Sequence, residues 1–377
     1  MEKDTRPFVP WQLVDDFMTA AFVKLGLPEE DARLCSDVLL ESDRRGIESH
    51  GCNRFKPIYV DRIKAGILNP VTKIDILKET PTTAVLDAND GMGMVASKKA
   101  MDMCIEKARK YGMGMVAVRN SSHYGIAGYY ARMAMDQGLI GFSCTNSEAI
   151  MVPTFGKKAM LGSNPIACSA PADPYPFFFD ASTTVVTRGK LEMYNKMDKP
   201  TPSGWAVNKD GVSSTSAAEV LGNIKAHEGG GIVPLGGDTE QMGGHKGYGY
   251  GMLCELFASI LSQGYTSAHT MQNGFSGICH GFMAINPAFF GNPEDIKKHF
   301  SQYLTELRES PKANGAERIY THGEKEMLAI EKVKVDGIPV NENTVREMID
   351  MAEYLGMDVK AYFGDFEYKN TNFKSSY

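Results

Sequence analysis

The order in which hydrophobic periodicities follow one another most constrains the fold of this chain. Residues 11–66 carry helical spacing, residues 82–285 mix short β-like runs with helical ones, and the spacing is helical again after Pro293. A doubly wound sheet would repeat one strand–helix unit from end to end, and this order does not. It points to a mixed α/β chain whose two helical ends pack together against a central sheet. Pro10 opens a helix over residues 11–25, and Gly26 ends it. Pro28, with Glu29, Glu30 and Asp31 at the positive end of the dipole, opens a second. Phe55, Tyr59 and Ile63 recur every four residues and predict a third helix reaching Gly66. Strands are predicted at residues 82–87, 115–118, 139–144, 166–169, 177–180 and 276–285. Helices are predicted at 97–111, 183–196, 247–261, 295–309 and 343–355, and the tail from Phe363 reads as polar and extended. The expected division is a helical domain of residues 1–80 with 290–377, and a sheet domain of 81–289.

Charge and composition exclude several classes of partner. A net charge of −6 over 377 residues argues against nonspecific binding to nucleic acid or anionic membrane. No stretch of 18 apolar residues occurs, and the segment from Met1 to Pro7 lacks the apolar core of a signal peptide, so a cytoplasmic protein is expected. Seven scattered cysteines without a Cys-x-x-Cys suit reduced thiols. No His or Cys pair has helical ligand spacing, so no metal site is expected. A small anionic substrate would need local cations, and Arg54, Arg188 and Lys246 are the candidates.

Two clusters carry chemistry. Ser49-His50-Gly51-Cys52-Asn53-Arg54 places an imidazole near a guanidinium, one able to move a proton near neutral pH and the other to grip a carboxylate bidentately. The same spacing also suits a satisfied surface histidine beside a salt-bridged arginine. Asn120-Ser121-Ser122-His123 follows a strand, where small polar groups either orient His123 or cap a helix beginning near Ile126. Thr145-Asn146-Ser147, Gly162-Ser163-Asn164-Pro165 and Asp180-Ala181-Ser182 are polar tips on apolar strands, and together they suggest one crevice at strand ends. Lys246 lies among glycines ahead of an apolar helix, without the spacing of a P-loop. Gly91-Met92-Gly93-Met94-Val95-Ala96 matches a dinucleotide fingerprint but lacks the second βα unit with its ribose-binding acid, so a turn before a capped helix is the simpler reading. His227, His269, His280 and His299 fall in no constellation.

In this order the segments resemble the type-2 malate/L-lactate dehydrogenase family over about residues 10 to 355. The resemblance rests on Asp43 to Gly51, Asn120 to Gly125, Leu161 to Ala167, Asp180-Ala181-Ser182, Arg188-Gly189-Lys190, Pro202 to Val207 and Lys246-Gly247-Tyr248-Gly249. It implies a cytosolic homodimer with a central non-Rossmann NAD(P)-binding domain, its sheet largely antiparallel or mixed, and a helical domain made from both termini. It further implies that Ser49, His50, Arg54 and His123 form the substrate and proton-transfer cluster. Ser147, Asp180, Ala181, Ser182, His245, Lys246, Gly323 and Glu324 would contact NAD or NADP. Two departures bear on cofactor preference: His245 stands where an aromatic residue is usual, and His322 where proline is usual.

The expected reaction interconverts a small 2-hydroxy acid and its 2-oxo acid. Arg54 would hold the carboxylate, and His123 or His50 would manage the proton; the sequence does not decide between them. Malate is the expected substrate, with Arg188 or Lys246 as the second cation. Lactate, sulfolactate, ureidoglycolate, diketogulonate and cyclic imino acids are the family alternatives. A serine hydrolase is the rival class, but no G-x-S-x-G elbow is present, and Ser49 and His50, adjacent in sequence, are not expected to face each other productively. A nucleotide-binding protein without catalysis is the third reading.

Overall fold

A seven-stranded mixed sheet forms the centre of the computed structural model, which describes residues 8–364 except 273. Its strands are β1 (Asp75–Glu79), β2 (Thr83–Asp87), β3 (Met113–Ser121), β4 (Ile140–Thr145), β5 (Ile166–Ala170), β6 (Phe177–Ala181) and β7 (Ile278–Ile285). They lie in the order β1-β2-β3-β7-β4-β5-β6. Only β2 and β3 run parallel, and helix α3 (Gly93–Tyr111) connects them; all other neighbours are antiparallel. A sheet with one parallel pair is not doubly wound, in keeping with the order of periodicities. β7 arrives last in sequence and pairs between β3 and β4, so its residues are buried almost continuously rather than alternately.

The helical ends meet as that order required. Helices α1 (Trp11–Lys24) and α2 (Glu29–Arg44) turn Phe17, Phe22, Val38 and Leu39 inward, and one core runs from these through Phe55, Tyr59 and Met94 to Val116 and Phe282 of the sheet. Phe8–Val9 pairs antiparallel with Ile338–Pro339, and Phe17 packs edge-on against Tyr362 and Phe363 at 5.6 and 5.1 Å. Helix α4 (Ala127–Met135) lies so close on β4 that a Cβ on Gly141 would meet the Ala131 carbonyl. Helices α5 (Arg188–Lys196) and α6 (Ala217–Ala226) pack beside a small sheet of Ala206–Val207, Ser213–Ser214 and Gly231–Ile232. Helices α7 (Gly244–Glu255), α8 (Pro293–Glu309), α9 (Glu324–Asp336) and α10 (Glu342–Tyr354) complete the chain's main elements.

Several expectations are corrected. β1 lies where the helical domain was placed; it is a sheet-edge strand, mostly exposed, and carries no alternation signal. Residues 183–187 are not helical but bend, with Thr184 bridging to Pro234, and α5 starts at Arg188 with Thr187 accepting from the Lys190 amide. The third helix breaks into a 3-10 turn (Cys52–Arg54), a π turn (Phe55–Val60) and a short α-helix (Asp61–Lys64), with Pro57, which has no N–H to donate, inside the π turn. Helix α7 begins three residues early and passes into a π turn at Leu256–Ile260. Phe363 ends a short helix, Val359–Phe363, while residues 1–7 and the tail beyond 364 lie outside the described residues. Among the described residues no helix is long and apolar enough to cross a membrane, and no group of three or more His, Cys, Asp or Glu is placed to hold a metal ion.

Candidate active site

The first cluster is built on two consecutive 3-10 turns at the end of α2. Glu48–His50 and Cys52–Arg54 are separated by Gly51, and the Asp43 carboxylate accepts the Cys52 amide at 2.7 Å. A Cβ on Gly51 would overlap that carboxylate, so only glycine lets the loop close on α2. Burial pushes the Asp43 carboxyl up to about 7, against the pull of the Cys52 hydrogen bond. The tight turn brings the Ser49 Oγ to 2.9 Å from His50 Nδ1. The 3-10 backbone folds both side chains to one side, so Ser49 steadies His50, although adjacent residues do not usually face each other. Arg54 Nε donates to the Ser49 carbonyl at 2.7 Å, which fixes the guanidinium plane. A Cβ on Gly189 would come 3.1 Å from Arg54 Nη2, so α5 starts directly over this arginine.

His123 reaches the same place from the sheet. β3 ends at Ser121, and the chain turns through Ser122, whose hydroxyl accepts the Gly93 amide at 2.9 Å and donates to the Gly91 carbonyl at 3.0 Å. A Cβ on Gly93 would collide with the Ser122 carbonyl. The start of α3 is thus packed against the loop that carries His123 and is not open to a pyrophosphate, which explains the fingerprint as a positioning device. His50 and His123 stack with ring centroids 5.8 Å apart and planes 15° apart. Neither serine before His123 orients its ring: Ser121 bonds His280 Nε2 at 2.8 Å, and helix α4 begins at Ala127, just after Ile126, without a side-chain cap.

The group that orients His123 is Tyr59. Its hydroxyl lies 2.6 Å from His123 Nδ1 and 3.3 Å from the His123 carbonyl oxygen, and the Gly125 amide reaches Nδ1 at 3.3 Å. The hydroxyl proton has a place in either protonation state, on Nδ1 when that nitrogen is bare and on the carbonyl when it carries hydrogen. Burial first, then the positive fields of His50, Arg62 and Arg54, hold the His123 imidazole well below its usual range. Burial and Arg54 push His50 down to about 4. Both rings are neutral at pH 7 without an added anion. Tyr59 and Arg62 were missed in the sequence because their spacing reads as core and surface; a fully buried tyrosine's need for a hydroxyl partner is the signal that would have flagged Tyr59.

The remaining predicted residues divide. Arg188 sits at the head of α5 near Arg54, but two carboxylates hold it, Glu148 at 2.9 Å and Glu192 at 3.1 Å. Ser147 beyond β4 accepts the Ser163 amide at 3.2 Å, and Thr183, next to Ser182, bonds the Ser163 carbonyl through its amide at 2.9 Å. The tips of β4, β5 and β6 therefore lie together, where the sequence suggested one crevice. Helix α7 reaches that crevice, since a Cβ on Gly251 would stand 3.4 Å from the Thr183 hydroxyl. Below the crevice the buried Glu255 carboxylate collects Asn146, Asn164, Ser259 and Ser267. Helix α7 starts at Gly243 with no side-chain cap, and His245 and Lys246 stand exposed in its first turn. An uncapped N-terminus beside a lysine fits a dinucleotide phosphate.

Asp180 faces elsewhere: its carboxylate accepts the Gly128 amide of α4 at 2.7 Å, and burial raises it to about 7. Ala181 follows it as the last residue of β6. Gly323 and Glu324 lie at the opposite end of β6, where Phe178 donates to the His322 carbonyl at 3.2 Å. At about 3.3 Å per residue, the span from Phe178 to Ser182 sets them roughly 13 Å from Ser182. Glu324 is fully buried, paired with Arg318, and its Oε2 has no partner. His280 occupies the sheet interior between Ser121 and Thr145 and stacks on Tyr124 at 4.5 Å.

Comparison with known proteins gives this geometry its chemistry. A sequence profile of the family described as malate/L-lactate dehydrogenase matches residues 9–349. The chain belongs to this family. It is 44% identical to a malate dehydrogenase of Pyrococcus abyssi, with 93% of this chain and 95% of that one covered. It is 39% identical to an L-sulfolactate dehydrogenase of Methanocaldococcus jannaschii, over 90% and 94% of the two chains. The solved malate dehydrogenase of Entamoeba histolytica superposes with a TM-score of 0.91 at 38% identity, covering 94% and 99%. The chain is a dehydrogenase of 2-hydroxy acids, and the stacked histidines beside Arg54 lie within that enzyme fold.

Proposed function

We propose that this protein interconverts malate and oxaloacetate with NAD, or alternatively NADP, as the hydride carrier. The observation that carries the reading is the convergence of His123, His50 and Arg54 on one cleft. When bound, the nicotinamide ring supplies or accepts the hydride at C2 of the substrate. Ser147, Ser182, His245 and Lys246 are the residues proposed to hold the cofactor, supported by their crevice and the uncapped start of α7. Asp180 and Ala181 act from behind the crevice through β6, Asp180 by holding the Gly128 amide, and the buried Gly323 and Glu324, at the other end of β6, are not assigned a cofactor contact.

Arg54 takes the substrate's C1 carboxylate in a two-pronged hydrogen bond, its plane already fixed through Nε. His123 carries the proton. In oxidation its Nε2 removes the hydroxyl proton, and Nδ1–H is held by the Tyr59 oxygen while the Tyr59 proton turns to the His123 carbonyl. In reduction the imidazolium returns that proton to the oxygen. The lowered proton affinity of His123 keeps the ring neutral and free to accept a proton, and an anionic substrate raises that affinity toward the protonated form that reduction needs. His50, hydrogen-bonded to Ser49, polarises the same oxygen from the neighbouring ring.

The working unit is proposed to be a cytosolic homodimer that accepts small anions and neither nucleic acid nor membrane. Leu253, Leu256, Ile260 and Leu261 are 42–52% exposed on α7 and the turn after it, an apolar strip suited to a second copy. All seven cysteines are free, which fits a reducing compartment. The test follows nicotinamide absorbance with oxaloacetate and pyruvate under NADH and NADPH. Faster turnover of oxaloacetate is expected, and no turnover of either acid would refute the reading.

A further inference from the structure

Three guanidiniums, those of Arg54, Arg62 and Arg188, act on one another around Tyr59, and they are not equally occupied. Arg54 is anchored through Nε to the Ser49 carbonyl, with Glu192 4.0 Å from Nη1. Arg188 is held between Glu148 and Glu192. Arg62, in the short helix Asp61–Lys64 one turn after Tyr59, is different: its Nη1 is buried and has no hydrogen-bond partner. The nearest acid in sequence, Asp61, is engaged by Lys56 at 3.0 Å. The groups whose fields reach Arg62 are Tyr59, Glu148 and Arg188, and its own charge is among those that depress His123. Arg62 therefore lies one turn from the tyrosine that bonds the acid–base histidine, with a buried donor unsatisfied.

Such a donor is costly unless something satisfies it. A buried polar group without a partner costs about 1–3 kcal/mol, and more when charged. Arg188 is committed to Glu148 and Glu192, and both histidines are neutral, so Arg54 and Arg62 are the two cations left to meet a ligand. A substrate with one carboxylate neutralises Arg54. A substrate with a second anionic group meets a second cation already desolvated.

Resting on the dehydrogenase reading above, we propose that Arg62 binds the distal anionic group of the substrate and selects 2-hydroxy acids that carry a carboxylate or sulfonate at the far end. This reassigns the second cation expected from the sequence, since Arg188 is committed to two acids and Lys246 is exposed at the start of α7. Arg62 is a substrate-binding residue in this scheme, and proton transfer stays with His123.

The test measures kcat/KM for oxaloacetate and 3-sulfopyruvate, which carry a distal charge, and for pyruvate and 2-oxobutyrate, which do not. The full-length protein is compared with Arg62→Gln and Arg62→Lys, and where a monocarboxylate turns over too slowly its inhibition constant against oxaloacetate is used. Arg62→Gln should lower kcat/KM for the two dianions by about 10- to 100-fold, the usual size of a lost charge-assisted hydrogen bond. Pyruvate and 2-oxobutyrate should change less than about threefold. Arg62→Lys keeps the charge but loses the fork, and should fall between. Should Arg62→Gln fail to fold, the same selectivity is read from Arg62→Lys. Equal losses on all four acids, or none, would overturn the proposal, as would a preference of the unmodified protein for the monocarboxylates. No turnover of any 2-oxo acid by the unmodified protein would instead remove the dehydrogenase reading, and this one with it.

Discussion

Replacing Tyr59 by phenylalanine removes one oxygen from the proton-transfer machinery and leaves the packing. The ring is fully buried and meets Phe22 edge-on at 6.0 Å, contacts that phenylalanine keeps, so stability should change by less than about 1.5 kcal/mol. The lost oxygen lies 2.6 Å from His123 Nδ1. In the imidazolium that oxygen accepts Nδ1–H, and a hydrogen bond to a charged group contributes about 1.5–3 kcal/mol. Converted at 1.4 kcal/mol per tenfold, kcat for reduction should fall by roughly 10- to 100-fold. The sign of the pH effect follows from the same bond. Tyr59 favours the charged ring, so without it the proton affinity of His123, already depressed, drops further. The pH limb for reduction, which needs the protonated ring, should move to lower pH. Rates with saturating oxaloacetate across pH 5–9 read both quantities. A variant with unchanged turnover and an unmoved limb would refute the role of Tyr59.

Other consequences are equally specific. Arg54→Lys loses the fork and the fixed plane, and should raise KM at least about tenfold with a smaller change in kcat, measured by steady-state kinetics. Gly51→Ala forces a methyl group into the Asp43 carboxylate and should cost about 1–3 kcal/mol in urea denaturation while lowering activity through displaced Ser49 and His50. His280 is buried, and its pKa falls to about 3, below its unfolded value near 6.5. The folded state therefore favours the neutral ring. Its contribution is fully present above about pH 6.5 and is lost toward pH 3 at about 1.4 kcal/mol per unit. Between pH 6.5 and 5 the natural protein should lose about 2 kcal/mol more than a His280→Gln variant, whose acid arm is flatter.

Much of this site was legible because the residues with distinctive chemistry are clustered in sequence. Ser49, His50 and Arg54 lie within one loop, and His123 follows a strand whose short apolar run was readable, so their approach needed only the helical ends to close on the sheet. What escaped was carried by context. Tyr59 looked like core because its spacing with Phe55 and Ile63 is that of a packed helix, and its ring is indeed core; its function lies in one atom. Arg62 gave no signal because an arginine near a helix end is ordinary until its burial is seen. Ser122 and Gly93 resembled orienting and phosphate-binding groups, yet they bind each other. β1 was invisible because an exposed edge strand has no buried face to impose a pattern.

The central claim is that His123 exchanges a proton with the oxygen on the carbon that gains or loses hydride. Comparing kcat for oxaloacetate reduction between the natural protein and His123→Gln, with NAD(P)H binding followed separately by nicotinamide fluorescence, tests it most directly. The account predicts a loss of about 10²- to 10⁴-fold in kcat with cofactor affinity retained. Unchanged turnover in the variant would contradict it.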